Sequence, residues 1–381
     1  MKFRFNNLTA VHYFCISIFL TLLGGMTAER YVNNFIIFTA SFGHLLNQEN
    51  LYKLYPAEYH DYFLYGPVFA ILIYPFKAFP LLFGKILWVT FNFIIYWFAV
   101  KKFFKSEVKA LFWWILICFQ DIYLSGLSFE INNLMIASII LAFCLLEDKK
   151  EFVAGLVIGF FSMVKLFPIM ALLFISFEID RKKYLIGIGL GIFLAILIPT
   201  TFTNIEFIQS QLMEWVKVLM HKDSLNRNLN PLVDYSLPGL FRKNLGDPSI
   251  SNLYFILFGF IVLSGLFIKN WMQKNLKLEL LVLSILTILV FNSNTESPSF
   301  IISSTAVAIW WNFVEKKKTI WSHFFLILYM LFTALPSIDG YPKEFKDQIL
   351  HQRGLRALPP VIIWFYIVIQ SYFKPKIANI L

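Results

Sequence analysis

Charge is scarce in this chain. Asp, Glu, Lys and Arg make up 15% of the 381 residues, while 58% are hydrophobic, against roughly 25% and 45–50% in a soluble domain. Mean hydropathy is +0.67, and a water-soluble fold cannot cover that much apolar surface. Cysteine is nearly absent. Cys15, Cys118 and Cys144 each sit inside an apolar run, where a thiol acts as a small hydrophobe, so a disulfide framework is excluded. The motifs of soluble enzymes are missing too: no P-loop, no dinucleotide-binding glycine pattern, no HExxH and no zinc-spaced Cys/His array. The six histidines (12, 44, 60, 221, 323 and 351) share no ligand spacing. What the chain has instead is aromatic: 44 Phe, 17 Tyr and 10 Trp, 19% of all residues. The composition is that of an all-α, polytopic integral membrane protein, read as one membrane domain over 1–381.

The acidic sign is the scarcer one, 23 residues against 33 basic, a net charge of +10. In a membrane protein this reads as the positive-inside bias, not as a nucleic-acid surface. The basic clusters Lys2/Arg4, Lys101-Lys102 with Lys105 and Lys109, Lys149-Lys150, Arg181-Lys182-Lys183, Lys269 with Lys274 and Lys277, Lys316-Lys317-Lys318, and Lys374 with Lys376 then mark cytoplasmic segments. The apolar run 10–27 lacks a small-residue cleavage site and reads as a retained span. The first outer loop, 28–63, carries Glu29, Glu49, Glu58 and Asp61 against Arg30 and Lys53. Within it Phe35, Phe38, Phe42, Leu45 and Leu46 recur at helical spacing, which predicts an amphipathic helix over 34–46 in the membrane interface. Spans near 184–203, 252–268, 278–291, 299–313, 319–336 and 359–373 place 204–250 outside as a long loop. Residues 152–177 lie between basic flanks and must cross twice, turning near Lys165. Its limbs are short against the ~20 residues of a full span. The stretch 64–100 needs an odd number of crossings, which one span plus a re-entrant or interfacial piece supplies. The total is about twelve, with both termini inside.

Polar groups at bilayer depth are costly and mark cavities or partners. Near the outer boundary stand Asn33, Asn34, Asp121, Glu130, Asn132, Asn133, Arg227, Asp234, Arg242, Glu296, Asp339 and Arg356, besides the charged residues of the first loop. Both signs come from many spans, which suits a cavity able to hold a phosphate and a sugar. Lys165, in Ser162-Met-Val-Lys-Leu-Phe-Pro168, is the sharpest of these: a cation beside a helix-breaking proline, suited to a lipid phosphate or to snorkelling. In 52–67, Tyr52, Tyr55, Tyr59, Tyr62 and Tyr65 alternate with Glu58 and Asp61 before Gly66-Pro67. Such tyrosines serve interfacial belts as well as carbohydrate sites, and a carboxylate among them is a candidate base.

At these residues the chain resembles glycosyltransferase family 87, polyprenyl-phosphate-sugar-dependent membrane enzymes with the GT-C fold, in the branch of Bacteroidetes-type bacteria. The resembling stretches are Asn33 to Phe38, Asn50-Leu-Tyr52, Tyr55-Pro-Ala-Glu-Tyr59 with Asp61, Tyr65-Gly-Pro67, Ser125 to Asn133, Gly155 to Pro168, Asp234 to Gly239, Glu296-Ser-Pro298 and Arg356 to Pro359. They span nearly the whole chain. The resemblance implies transfer of a hexose, with mannose as one candidate, from a polyprenyl-phosphate carrier to a lipid or glycan hydroxyl outside a bacterial inner membrane. Its first-loop aspartate, the expected base, falls on Asn34 here, and its Gly-Gln-x-Asn pattern reads Phe129-Glu130-Ile131-Asn132. An amide cannot accept the proton, so the base moves to Asp61, Glu58 or Glu29, or this branch has altered or lost activity.

The implied mechanism has one of these carboxylates deprotonate the acceptor while Lys165, with Arg30, Arg227 or Arg242, holds the departing phosphate. Tyr55, Tyr59, Tyr65, Glu130, Asn132, Asp234 and Glu296 are the candidate substrate contacts. No cofactor is expected and no metal is required, although carboxylates able to bind a divalent ion are present. A polysaccharide polymerase or ligase and a lipid or sugar transporter are the competing classes. No internal repeat of the kind transporters show is evident.

Overall fold

The structure, a computed structural model, describes residues 9–27, 32–336 and 341–375. Glu29, Arg30 and Asp339 therefore lie outside the described residues. Those described form helices and loops, with no strand among them. The chain opens with α1 (Ala10–Thr27), α2 (Val32–Leu46), α3 (Pro67–Lys77), α4 (Leu81–Phe103), α5 (Val108–Ser128), α6 (Asn132–Glu147) and α7 (Glu151–Ser162). A 3₁₀ helix, Phe167–Ser176, leads into α8 (Arg181–Thr200), α9 (Ile205–Asn226), α10 (Leu237–Leu245), α11 (Asn252–Gln273) and α12 (Lys277–Val290). The last three, α13 (Phe300–Ile309), α14 (Ile320–Tyr329) and α15 (Leu358–Phe373), complete the bundle. Wider π-type turns, Trp310–Val314 and Met330–Ala334, extend α13 and α14.

Six helices are long and apolar enough to cross a bilayer: α1, α4, α5, α8, α11 and the segment Leu355–Phe373 that contains α15. The other expected crossings fall on shorter pieces, including α6, α7, the 3₁₀ helix and the α14 segment. In 64–100 the span-length helix is α4, and the 11-residue α3 precedes it. The expected amphipathic helix is α2, whose Phe35, Phe38, Phe42 and Leu45 are buried while Leu46 is exposed. The expected long loop 204–250 differs: it holds two helices. Local chemistry explains them, because Asn204 accepts from Phe207 N at 2.7 Å to cap α9 and Ser236 accepts from Gly239 N at 3.1 Å to cap α10.

The 152–177 hairpin has unequal limbs. The first is the 12-residue α7, and Pro168 sits at the start of the 10-residue 3₁₀ limb. At ~1.5 and ~2.0 Å rise per residue each limb spans roughly 20 Å, short of a ~30 Å hydrocarbon core. Protein covers the shortfall, since the 3₁₀ limb packs against α6, α7, α11 and α12. Two glycine pairs, Gly155 and Gly159 on α7 and Gly187 and Gly191 on α8, bring these helices into backbone contact. A Cβ at Gly155 would stand 2.0 Å from Tyr184 O, and one at Gly187 would stand 2.2 Å from Phe152 O. This is the small-xxx-small packing of membrane helices.

Apolar packing divides into two cores. The larger draws on α4–α6, α12, α13 and α15. The smaller joins α2, α3 and the first loop to Trp88, Phe129, Val164 and Trp215. It underlies the polar cluster described next.

Candidate functional site

Element order puts the ends of the helices in two groups. Lys102, Lys149, Lys274, Lys316 and Lys374 stand at or just beyond the helix ends of one group, the basic end. The loops 47–66, 129–131, 163–166 and 292–298 lie at the other, and there the candidate residues converge.

Gly66 makes the first connection. Its N–H donates to Val164 O at 3.0 Å, and a Cβ on it would stand 1.8 Å from Met163 O. Only glycine lets the first loop press onto the hairpin turn this closely. Tyr65, one residue earlier, is thereby set beside Lys165, whose ammonium lies 5.5 Å from the Tyr65 ring and 4.4 Å from that of Phe167. Tyr52 Oη fixes the same stretch by donating to Tyr65 O at 2.9 Å.

Lys165 Nζ donates to Asn132 Oδ1 at 3.0 Å, and Asn132 Nδ2 donates to the Glu130 carboxylate. The turn that presents Glu130 is held by Phe129, in a left-handed conformation at φ 58, and by Trp88 Nε1, which donates to Phe129 O at 2.9 Å. Burial raises the Glu130 carboxyl above its ordinary range, opposed by the Lys165 charge.

Glu296 completes the cluster from the loop before α13. Its side chain accepts from the Ser299 backbone, and its own N–H donates to Ser299 Oγ at 3.3 Å. Burial, with the charges of Glu130 and Asp61 adding to it, pushes this carboxyl up to about 7, while Lys222 and Lys165 pull the other way. Asp61 faces Glu296 from the first loop, and Lys222 Nζ on α9 donates to both of its oxygens at 2.8 Å.

Asp61, Tyr65, Glu130, Asn132, Lys165 and Glu296 thus come together from four separate loops, as candidates the sequence had already singled out. Lys222 joins them without having been singled out. In sequence it is an ordinary lysine of an amphipathic helix, and its tie to Asp61 bridges 161 residues.

Other candidates have different partners. Asn34 Nδ2 donates to Ser128 O at 3.0 Å, tying α2 to the end of α5. Glu58 meets His44 Nε2 at 3.2 Å, and the His44 ring stacks on Tyr55 at 3.8 Å with Tyr59 at 6.1 Å. These four residues form a box of their own within the first loop. Arg227 pairs with Asp223, which also accepts from Asn252 and Ser293. Arg242 is 1% exposed. Its Nε donates to Asp234 Oδ2 at 2.9 Å, and its Nη1 donates to Ile250 O at 2.7 Å and Asn252 Oδ1 at 2.8 Å. Such a guanidinium braces the 234–252 lobe, with Asp234 as its counter-ion. Among the described residues no group of three or more His, Cys, Asp and Glu is arranged to hold a metal ion.

The chain matches the sequence profile of glycosyltransferase family 87 over residues 63–295. It belongs to that family. No curated protein and no solved structure matches it. As a family 87 glycosyltransferase it carries Glu130, Asn132, Lys165 and Lys222 inside the matched segment, while Asp61 and Glu296 flank it at either end. The family relation agrees with the apolar helices: this glycosyltransferase is a membrane protein.

Proposed function

We propose that this glycosyltransferase moves a hexose, mannose being one candidate, from a polyprenyl-phosphate carrier to a lipid or glycan hydroxyl. The reaction runs at the cluster end of the bundle, on the extracytoplasmic side of a bacterial inner membrane. The observation that carries the reading is the Lys165 turn: a cation on a short hairpin, buttressed by Asn132 and Tyr65, facing Glu296 and Asp61 across one cluster.

The chemistry follows from the charges. The acceptor oxygen attacks the anomeric carbon from the side opposite the phosphate. The bond from that carbon to the phosphate oxygen breaks, and the phosphate leaves with the electron pair. Lys165 stabilises the negative charge that grows on it, as a fixed cation does best where little solvent must reorganise. Lys222 supplies a second positive charge at the cluster.

The acceptor proton goes to a carboxylate. Glu296 is the best matched, because a base serves best when its pKa lies near the working pH, and burial beside two other carboxylates brings it to about 7. Asp61, held by Lys222 on both oxygens, orients the acceptor and balances charge. The chemistry supplied by these residues needs no metal.

The test is release of labelled sugar from a polyprenyl-phosphate hexose by the purified chain in membranes, comparing wild type with Glu296→Gln and Lys165→Met. Both variants are expected to lose transfer. If both retain full activity, the assignment of this cluster fails.

A further inference from the structure

We propose that a crevice at the basic end of the bundle binds an anionic phospholipid by its head group, at a site separate from the transfer cluster. The crevice measures about 1000 Å³ and opens among the ends of α4, α6, α12 and α15 and the turn after α13. Seven lysines and five carboxylates line it. Three of these carboxylates are already neutralised: Lys102 meets Asp148 at 2.7 Å, Lys277 meets Glu147 at 2.9 Å, and Lys374 meets Glu279 at 2.6 Å. Glu315 accepts from Tyr366 Oη and from Gln370 Nε2, each at 3.4 Å. Beyond those three pairs, Lys105, Lys274, Lys316 and Lys317 stand against Glu107 and Glu315, and among the described residues Lys105, Lys316 and Lys317 meet no carboxylate, so the lining carries two surplus positive charges.

The remaining lining is apolar. Phe313 packs edge-on against Phe103 at 5.1 Å and Phe104 at 5.2 Å, and Phe103 packs against Phe143 at 5.7 Å. Asn275, also in the lining and 8% exposed, has a buried Oδ1 with no hydrogen-bond partner, an acceptor suited to a head-group hydroxyl. Unpaired lysines, an aromatic wall and an unpartnered acceptor match the region of a lipid where phosphate, glycerol and acyl chain meet. Free phosphate would use the lysines alone. Basic pockets between helices at this face of a membrane protein are known head-group sites, and a lysine binds phosphate there as a point charge.

The experiment places the full chain in phosphatidylcholine nanodiscs containing a small fraction of phosphatidylglycerol, with retained lipid counted by native mass spectrometry. Wild type is expected to retain phosphatidylglycerol selectively. The triple variant Lys105→Ala, Lys316→Ala, Lys317→Ala is expected to weaken retention by on the order of 100-fold, about fivefold per lysine. The corresponding Lys→Arg triple variant is expected to keep it, which separates loss of charge from loss of fold. Equal retention by the alanine variant overturns the proposal. So does an equal loss on Lys182→Ala with Lys183→Ala, which removes charge outside the crevice. A third arm offers inorganic phosphate to the lipid-free detergent-solubilised chain, and binding as tight as that of phosphatidylglycerol would overturn the lipid assignment.

Discussion

Glu296 ties the proposed reaction to pH. A carboxyl raised to about 7 is protonated below that pH and cannot take the acceptor proton. The kcat/KM profile of wild type should therefore fall on the acid side as pH drops through about 7. Glu296→Gln should lower kcat by roughly 10²–10⁴-fold and remove that limb. Stability should move the other way. The folded state binds this proton more tightly than the unfolded chain does, so its contribution favours folding at low pH and is lost as pH rises through about 7. Glu296→Gln removes a crowded negative charge, and at pH 8 it should melt at a higher temperature than wild type in a calorimetric scan. Lys165→Met should cost about 10²–10³-fold in kcat. A Lys165 that merely snorkelled would lose little, so single-turnover rates with bound donor decide between the two roles.

Lys165 and Glu130 were legible in the sequence for different reasons. Lys165 stood out because a lysine between two short apolar limbs, three residues before a proline, has no cheap solvated alternative. Glu130 and Asn132 stood out as polar residues crowded near the outer boundary of the membrane, within a stretch that departs from the family pattern. Lys222 could not be found that way, because helical spacing places it among other polar residues and its meaning depends on a contact with Asp61. Arg242 and Glu58 show the converse. Each has the residue type the chemistry wants, and each is engaged elsewhere by a neighbour, Asp234 or His44, whose geometry only the fold reveals.

At the scale of elements, the α7–α8 contact decides where Lys165 can stand. Small residues at 155, 159, 187 and 191 let the two backbones touch, and α7 runs directly into the Lys165 turn. Gly187→Leu would drive a side chain into Phe152 O, an overpacking cost of about 1–3 kcal/mol. It should lower the melting temperature and reduce transfer, because displacing α7 carries the turn with it. Gly189, on the same helix, has nothing within 4 Å of a Cβ placed on it. Gly189→Ala should leave activity unchanged and raise stability slightly by helix propensity. Thermal unfolding and transfer rates of the two variants, measured side by side, check the contrast. The motif was present in the sequence as two four-residue glycine spacings, whereas the 3₁₀ form of the second limb carried no such signal.

For the whole molecule, the distribution of lysine implies an orientation. If the basic end faces the cytoplasm, a cysteine introduced at Asn228, exposed beyond α9, should react with a membrane-impermeant maleimide in intact cells. One introduced at Lys149, exposed at the basic end, should react only after permeabilisation. Cys118 and Cys144 are buried, and the exposed Cys15 is replaced by Ser so that the native thiols add little background. Labelling of the Lys149 site in intact cells would reverse the topology and the side assigned to the reaction. Of the six span-length helices, α1, α8, α11 and the segment Leu355–Phe373 match spans expected from composition and run length, and α4 falls in the stretch 64–100 where one span was expected. The shorter pieces in 152–177, 278–291, 299–313 and 319–336 were expected from the alternation of basic flanks instead, because a segment covered by protein need not be apolar all round or long enough to meet water at both ends.

Helix α9 turns Met213, Val216 and Met220 outward along one stripe while Ile208, Trp215 and Val218 pack inward, and it brings Lys222 to Asp61. If α9 lies with that stripe at the level of the lipid head groups, as amphipathic interfacial helices do, its height follows the thickness and crowding of the surrounding leaflet. The Lys222–Asp61 tie passes any such vertical displacement to the first loop. On that reading α9 acts as a float coupled to the candidate site, and the rate of sugar transfer should vary with acyl-chain length in reconstituted bilayers even at fixed donor concentration. In Lys222→Met that dependence should flatten.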